Sequence, residues 1–160
     1  TGGLTVAVTN SGGTSTVSVG AVTDNNNGTY TAVITGVLSG TATTIVGAIA
    51  GANLTSALPT LIVNPGSFST ATSTIALSTN TAASETTVTA TLQAKDAAGN
   101  NITSGGIAVA FTATGGTSTG NISGTTDNND GTYTATIVTK IAGTATTIGA
   151  TMNGSAVTST

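Results

Sequence analysis

The chain has 160 residues, no cysteine, no histidine, and a formal net charge of −3 from two basic and five acidic side chains. Without Cys or His it can build no disulfide frame, thiolate nucleophile, Ser/His/Asp triad or His-ligated metal site, and Lys95 and Lys140 alone cannot answer the phosphates of nucleic acid. Charged residues make up 4% of the chain against about a quarter in ordinary soluble domains, so Thr, Ser, Asn and Gly form the wet surface; no run of 18 apolar residues provides a membrane-spanning helix, and Thr1 opens no basic-then-apolar leader.

Along the chain, short runs that alternate apolar residues with Thr are broken by Gly, Asn, Asp and Pro, which is a strand-and-turn pattern with no helix of ordinary length. Residues 1–63 form one segment of this kind, and Pro65-Gly66 after Leu61-Ile62-Val63 marks a junction. Beyond it, seven strands are expected at about 72–78, 86–95, 106–113, 118–125, 132–139, 144–152 and from 155 onward. In Thr87-Val88-Thr89-Ala90-Thr91-Leu92-Gln93-Ala94 the even positions are apolar, so one face is buried; Ile107, Val109 and Phe111 repeat the pattern, as do Tyr133, Ala135 and Ile137, and then Ile148, Ala150 and Met152. β-Branched Thr on the other face supplies strand propensity without charge. The connections at 96–101, 114–116 and 127–131 are rich in turn formers, and Asn153-Gly154 between two alternating runs is a two-residue hairpin signal.

The segment from Thr1 repeats from Ser104 without a gap. Asp24 falls on Asp127, Gly28 on Gly131, Tyr30 on Tyr133 and Gly40 on Gly143, each 103 positions apart (127 − 24 = 103), and roughly half of the aligned positions are identical. A period of about a hundred residues is that of a globular domain rather than of a solenoid, so each copy is expected to fold around its own core. The expected organisation is residues 1–63 as the C-terminal part of a first repeat and 64–160 as a second repeat, nearly complete but lacking the end of its last strand. Both ends then fall inside domains of a longer chain, unless the truncated unit borrows strands from a neighbouring chain.

Candidate sites are tested by recurrence. The loop Asp127-Asn128-Asn129-Asp130-Gly131 has the oxygen-rich composition of a calcium loop, but Gly131 stands at position five where such a loop needs a ligand, and Asn27 replaces Asp130 in the other copy; it reads as a turn. Lys95 and Lys140 could supply an internal isopeptide bond, yet Lys140 aligns with Val37, and the plain reading is two solubilising residues at strand ends. Sequons at Asn27, Asn53, Asn101, Asn121 and Asn153 do not recur between copies. The Thr ladders 87/89/91 and 132/134/136 read as solvated strand faces rather than an ice-binding plane. Glu85 is the sole glutamate, so no carboxylate pair or activated nucleophile emerges, and no catalytic, cofactor or metal residue is assigned.

Three strings carry a family resemblance: Lys95-Asp96-Ala97-Ala98-Gly99-Asn100 after a strand, Asp127 to Ala135 leading into a strand, and Ala142-Gly143-Thr144-Ala145-Thr146 before the next, with Asp24 to Tyr30 and Ser39-Gly40-Thr41 repeating the last two. Together they resemble the bacterial immunoglobulin-like repeats of invasin and intimin type, with a likeness to filamin repeats. The resemblance implies tandem immunoglobulin-like β-sandwiches of about seven antiparallel strands, without the antibody-type Cys pair and core Trp. It places Tyr133 at the start of the fifth strand, which is not where a tyrosine corner sits. It further implies a non-enzymatic stalk or spacer in an extracellular or cell-surface protein, partnered by neighbouring repeats; the alternatives are a self-assembling filament or lattice made with other copies of itself, and a ligand-binding adhesion module.

Overall fold

The computed structural model describes residues 1–159, and it folds as two compact units, Thr1–Asn64 and Pro65 onward. The second unit is the fuller one. Its elements are β9 (Thr74–Leu77), β10 (Thr87–Gln93), β11 (Val109–Thr114), β12 (Thr119–Ile122), β13 (Thr126–Asp127), β14 (Thr132–Ile141), β15 (Thr147–Met152) and β16 (Ser155–Ala156). One sheet runs β12-β14-β10-β9, with β13 added at the start of β14; the other runs β11-β15-β16. Lettered in chain order without β13, these are A-B-E-D and C-F-G, the two sheets of an immunoglobulin-type sandwich.

The period-two pattern decides what lies between the sheets. Val88, Ala90, Leu92 and Ala94 of the β10 segment face Tyr133, Ala135 and Ile137 of β14 and Ala150 and Met152 of β15, and these nine are the buried apolar residues of the described chain. Phe111 on β11 packs against both halves of this core. With Ala at four of the nine positions the sheets meet over small side chains, and Leu92, Tyr133 and Met152, all at 1% exposure or less, supply most of the volume.

Several boundaries differ from the sequence reading. The stretch from 106 is not yet strand, because Gly106 N–H donates to Asp127 Oδ2 and Ile107 N–H to the Tyr133 hydroxyl, which hold it off the ladder until Val109. An eighth short strand appears at Thr126–Asp127, between the expected strand 118–125 and the body of the expected turn, paired with Thr134 and Tyr133. The β15 strand starts at Thr147 rather than 144. Asn153 (φ 47°) and Gly154 (φ 83°) form the expected hairpin turn with both central residues left-handed.

The first unit contains β1 (Val6–Ser11), β2 (Thr16–Val19), β3 (Thr23–Asp24), β4 (Tyr30–Thr31), β5 (Ile34–Leu38), β6 (Thr43–Ile49), β7 (Ala52–Asn53) and β8 (Thr60–Leu61). Shifted by 103, β1, β2, β3 and β7 fall on β11, β12, β13 and β16 residue for residue, and the bulge at Thr16/Val17 falls on that at Thr119/Gly120. Two differences matter. No described strand of this unit corresponds to β9 or β10, and the continuous β14 is broken here into β4 and β5. Without a strand along that edge, Val33, Val37 and Leu38 are exposed, and no apolar residue of the unit is fully buried.

Candidate functional site

Three polar clusters and one groove are candidates. In the first cluster, Asp127 Oδ1 accepts from Asn129 N–H while Oδ2 accepts from Gly106 N–H, and Asp130 Oδ1 accepts from both the amide and the hydroxyl of Thr132. The Thr132 hydroxyl and then its amide hold the Asp130 carboxyl below the usual range. The oxygens expected of a cation loop are thus spent on the turn itself. The first unit repeats the bonds with Asp24, Gly3, Asn27 and Thr29. Among the described residues no group of three or more acidic side chains gathers to hold a metal ion.

The second cluster is one the sequence reading passed over as a plain loop. Asp96 is buried, at 5% exposure, and its carboxylate accepts four hydrogen bonds: from Asn100 Nδ2 and Gly66 N–H at Oδ2, and from the amides of Ala98 and Asn100 at Oδ1, all 2.8–2.9 Å. The Asn100 side chain is the largest cause, followed by the Gly66 amide, of a carboxyl pKa lowered to about 2. Gly66 lies 30 residues away in sequence, so the cluster ties the entry of the second unit to the turn after β10. A buried charge satisfied on every side is a fastener, not a reactive group.

The third is Lys140 with Glu85, whose Nζ and Oε2 stand 2.8 Å apart on the surface. Lys140 is therefore an ion-pair partner. Lys95 sits at an isolated bridge to Asn101. Tyr133 is the second residue of β14; its hydroxyl accepts from Ile107 N–H at 3.0 Å, as that of Tyr30 accepts from Leu4 N–H at 2.9 Å.

The groove is at one end of the second unit, where the loops before β10, after β11 and after β14 converge. It has a volume of about 480 Å³ and is lined by Leu77, Ser118, Thr139, Ile141, Thr146 and Ile148, among others. A second hollow of about 400 Å³ continues along β15, beside Thr147, Ile148 and Gly149. Neither is lined by a titratable group.

No helix is long and apolar enough to cross a membrane among the described residues. No curated protein matches the sequence. The family model described as invasin, domain 3, matches residues 69–160. Among solved structures, the Escherichia coli adhesin FdeC is similar over 98% of this chain and 50% of its own, at 27% identity and a TM-score of 0.57. Invasin, a bacterial integrin-binding protein, is similar over 98% of this chain and 31% of its own, at 24% identity and a TM-score of 0.58, a likeness of fold. The chain thus spans half or less of the length of these relatives. With the A-B-E-D and C-F-G sheets in place, the chain belongs to the invasin domain 3 family, immunoglobulin-like β-sandwich modules of bacterial cell-surface adhesins.

Proposed function

We propose that the chain is a non-enzymatic spacer segment of a long surface adhesin, built from tandem immunoglobulin-like repeats with the first unit representing the later strands of one repeat and the second unit most of the next. The observation that carries this is the residue-for-residue recurrence of strands, bulge and corner hydrogen bonds at a constant offset of 103. A module repeated with its corner hydrogen bonds intact and surface residues changed, as Val37 against Lys140, is selected for its frame. The aromatics that would anchor a receptor are drawn inward: Tyr133 is buried, and Phe68 and Phe111 pack on the core. This favours a spacer over a recognition module, and integrin binding is stated of invasin and not of this chain.

Solution X-ray scattering of the 160-residue protein tests the reading. A single globule of this length has a radius of gyration of about 15 Å. A spacer gives a clearly larger value, and a result at the globular value would refute it. Concentration-dependent growth of the scattering mass would instead support a filament or lattice made of copies of the chain.

A further inference from the structure

The second unit is stitched at its entry by bonds that lie outside its strand ladders. β9 begins only at Thr74, yet the stretch before it is already held to the residues that follow β10. Gly66 N–H donates to Asp96 Oδ2 at 2.8 Å, Phe68 forms an isolated antiparallel bridge with Asp96, Ser69 N–H donates to Lys95 O at 2.7 Å, and the Thr72 hydroxyl donates to Asp96 O at 2.6 Å. Ser73 is wholly buried, and its hydroxyl donates to Ser69 O at 2.7 Å and accepts from Lys95 N–H at 3.0 Å. A buried hydroxyl used in both directions fixes the turn at 70–72 against Lys95, because leaving either group unpaired in the interior would cost its desolvation in full.

The last described residues return to this same stretch. Val157 N–H donates to Ala150 O at 2.9 Å, which keeps the chain beside β15, and its side chain packs, as those of Phe68 and Ile75 do, on the core cluster of Leu92, Tyr133 and Met152. Thr158 N–H then donates to Thr70 O at 2.9 Å, and the Ser159 hydroxyl donates to Ser73 O. The later residue of the exit meets the later residue of the entry, so the two stretches run in the same sense. Tension that draws Gly66 one way and Ser159 the other slides them past each other and loads both bonds together. Stretches of opposite sense would open one bond at a time.

We propose that Gly66–Ser73 is a mechanical clamp, in which Ser73 pins the entry of the unit both to the residues after β10 and to the exit, so that the unit resists tension along the chain more than tension applied elsewhere. The inference rests on the spacer reading for the direction of the load and on these bonds for the resistance. Three stretches far apart in sequence, 66–73, 95–96 and 157–159, are joined through one buried serine and its neighbours. Each hydrogen bond alone is weak against pulling. Sharing the load among them is what prolongs the folded state, because forced unfolding is governed by the rate of crossing the unfolding barrier and not by the equilibrium stability. The same core area arranged with the ends loaded one bond after another would give way sooner.

The test is single-molecule pulling of the 160-residue protein at constant force, with two attachments compared. The chain has no cysteine, so Ser155→Cys supplies a single exposed attachment point ahead of the exit stretch. The protein is held either by its two ends or by its first residue and position 155, and the second unit is recognised by a length step of roughly 300 Å, against roughly 200 Å for the first. Held by its ends, the second unit should last at least about tenfold longer than when pulled from position 155 at the same force. Thr158→Pro combined with Ser159→Ala removes both exit donors at an exposed and a half-buried position, and should erase that difference while changing the lifetime pulled from position 155 by less than about twofold. Equal lifetimes of the unsubstituted unit in the two arrangements, a difference that survives the double substitution, or an equal loss of lifetime in both arrangements each overturns the clamp. The radius of gyration is unaffected by these outcomes, so failure of the clamp and failure of the spacer reading are separate results.

Discussion

Tyr30 and Tyr133 form an internal control for what a neighbouring strand is worth. They occupy the same place in the repeat and accept the same kind of hydrogen bond, from Leu4 N–H and Ile107 N–H. Only Tyr133 has β10 paired beside it, opposite Leu92, and it is 1% exposed; Tyr30 is half-buried with no such strand beside it. Replacing a fully buried aromatic by Ala costs about 3–5 kcal/mol, so Tyr133→Ala should lower the melting temperature of the second unit by about 12 °C or more, at 4–8 °C per kcal/mol for a domain of this size. Tyr30→Ala loses partial burial and one exposed hydrogen bond, about 1–2 kcal/mol. Tyr133→Phe isolates the hydroxyl: leaving Ile107 N–H without its acceptor costs about 1 kcal/mol, with the ring packing retained. Urea titration followed by hydrogen exchange assigns each loss to its unit. Equal destabilisation by Tyr30→Ala and Tyr133→Ala would refute the reasoning, because the burial gained beside β10 would then contribute nothing.

Other substitutions follow the same logic. Gly131 has φ 83° and a Cβ there would sit 1.8 Å from Ile102 O, whereas at Gly28 (φ 91°) the nearest atom is Thr1 O at 3.9 Å; Gly131→Ala should therefore unfold the second unit's corner while Gly28→Ala costs about 1 kcal/mol, measured by thermal melting. Ala50 is left-handed (φ 49°) where the other copy has Asn153, so Ala50→Asn should stabilise the first unit by about 0.5–1 kcal/mol, read as a later urea midpoint. Asp96 has a folded pKa of about 2 against 3.8 for a free carboxyl, so its stabilising effect is complete above about pH 4 and is lost as pH falls through 2; melts across that window should show the loss in the native protein and a flattened slope in Asp96→Asn. Lys140→Gln should change stability by less than about 0.5 kcal/mol, checked by the same melts in low and high salt, since the pair with Glu85 is exposed.

The fold was legible because the signals that carry it are local and periodic. Alternation placed Val88, Ala90 and Leu92 on one face, and Asn153-Gly154 named its own turn type. The misreadings concern groups whose partners are distant. Asp96 in a string of Ala, Gly and Asn looks like any turn residue, and the bond that makes it a fastener comes from Gly66. The delayed start of β11 likewise depends on Asp127 and Tyr133, 21 and 26 residues away. The groove had no sequence signature, since its lining mixes surface Ser, Thr and Gly with the ends of strands already read as core, such as Val88 and Ile137. It becomes visible only when the burial of Thr43 is set beside that of Thr146.

That comparison bears on what sets strand length in such a repeat. The sequences of β4–β5 and β14 share Tyr, Thr, Ala and Ile at matching positions, yet the strand is continuous only where β10 runs beside it. The string Thr-Ala-Thr-Thr-Ile is identical in both copies at 41–45 and 144–148, yet it enters the sheet at Thr43 in one and at Thr147 in the other, according to whether β8 lies alongside. In strands this rich in Thr and Ala, local propensity leaves the ends undecided, and the neighbouring strand extends or releases them. An edge whose order depends on its neighbour is also an edge that gains most from acquiring one.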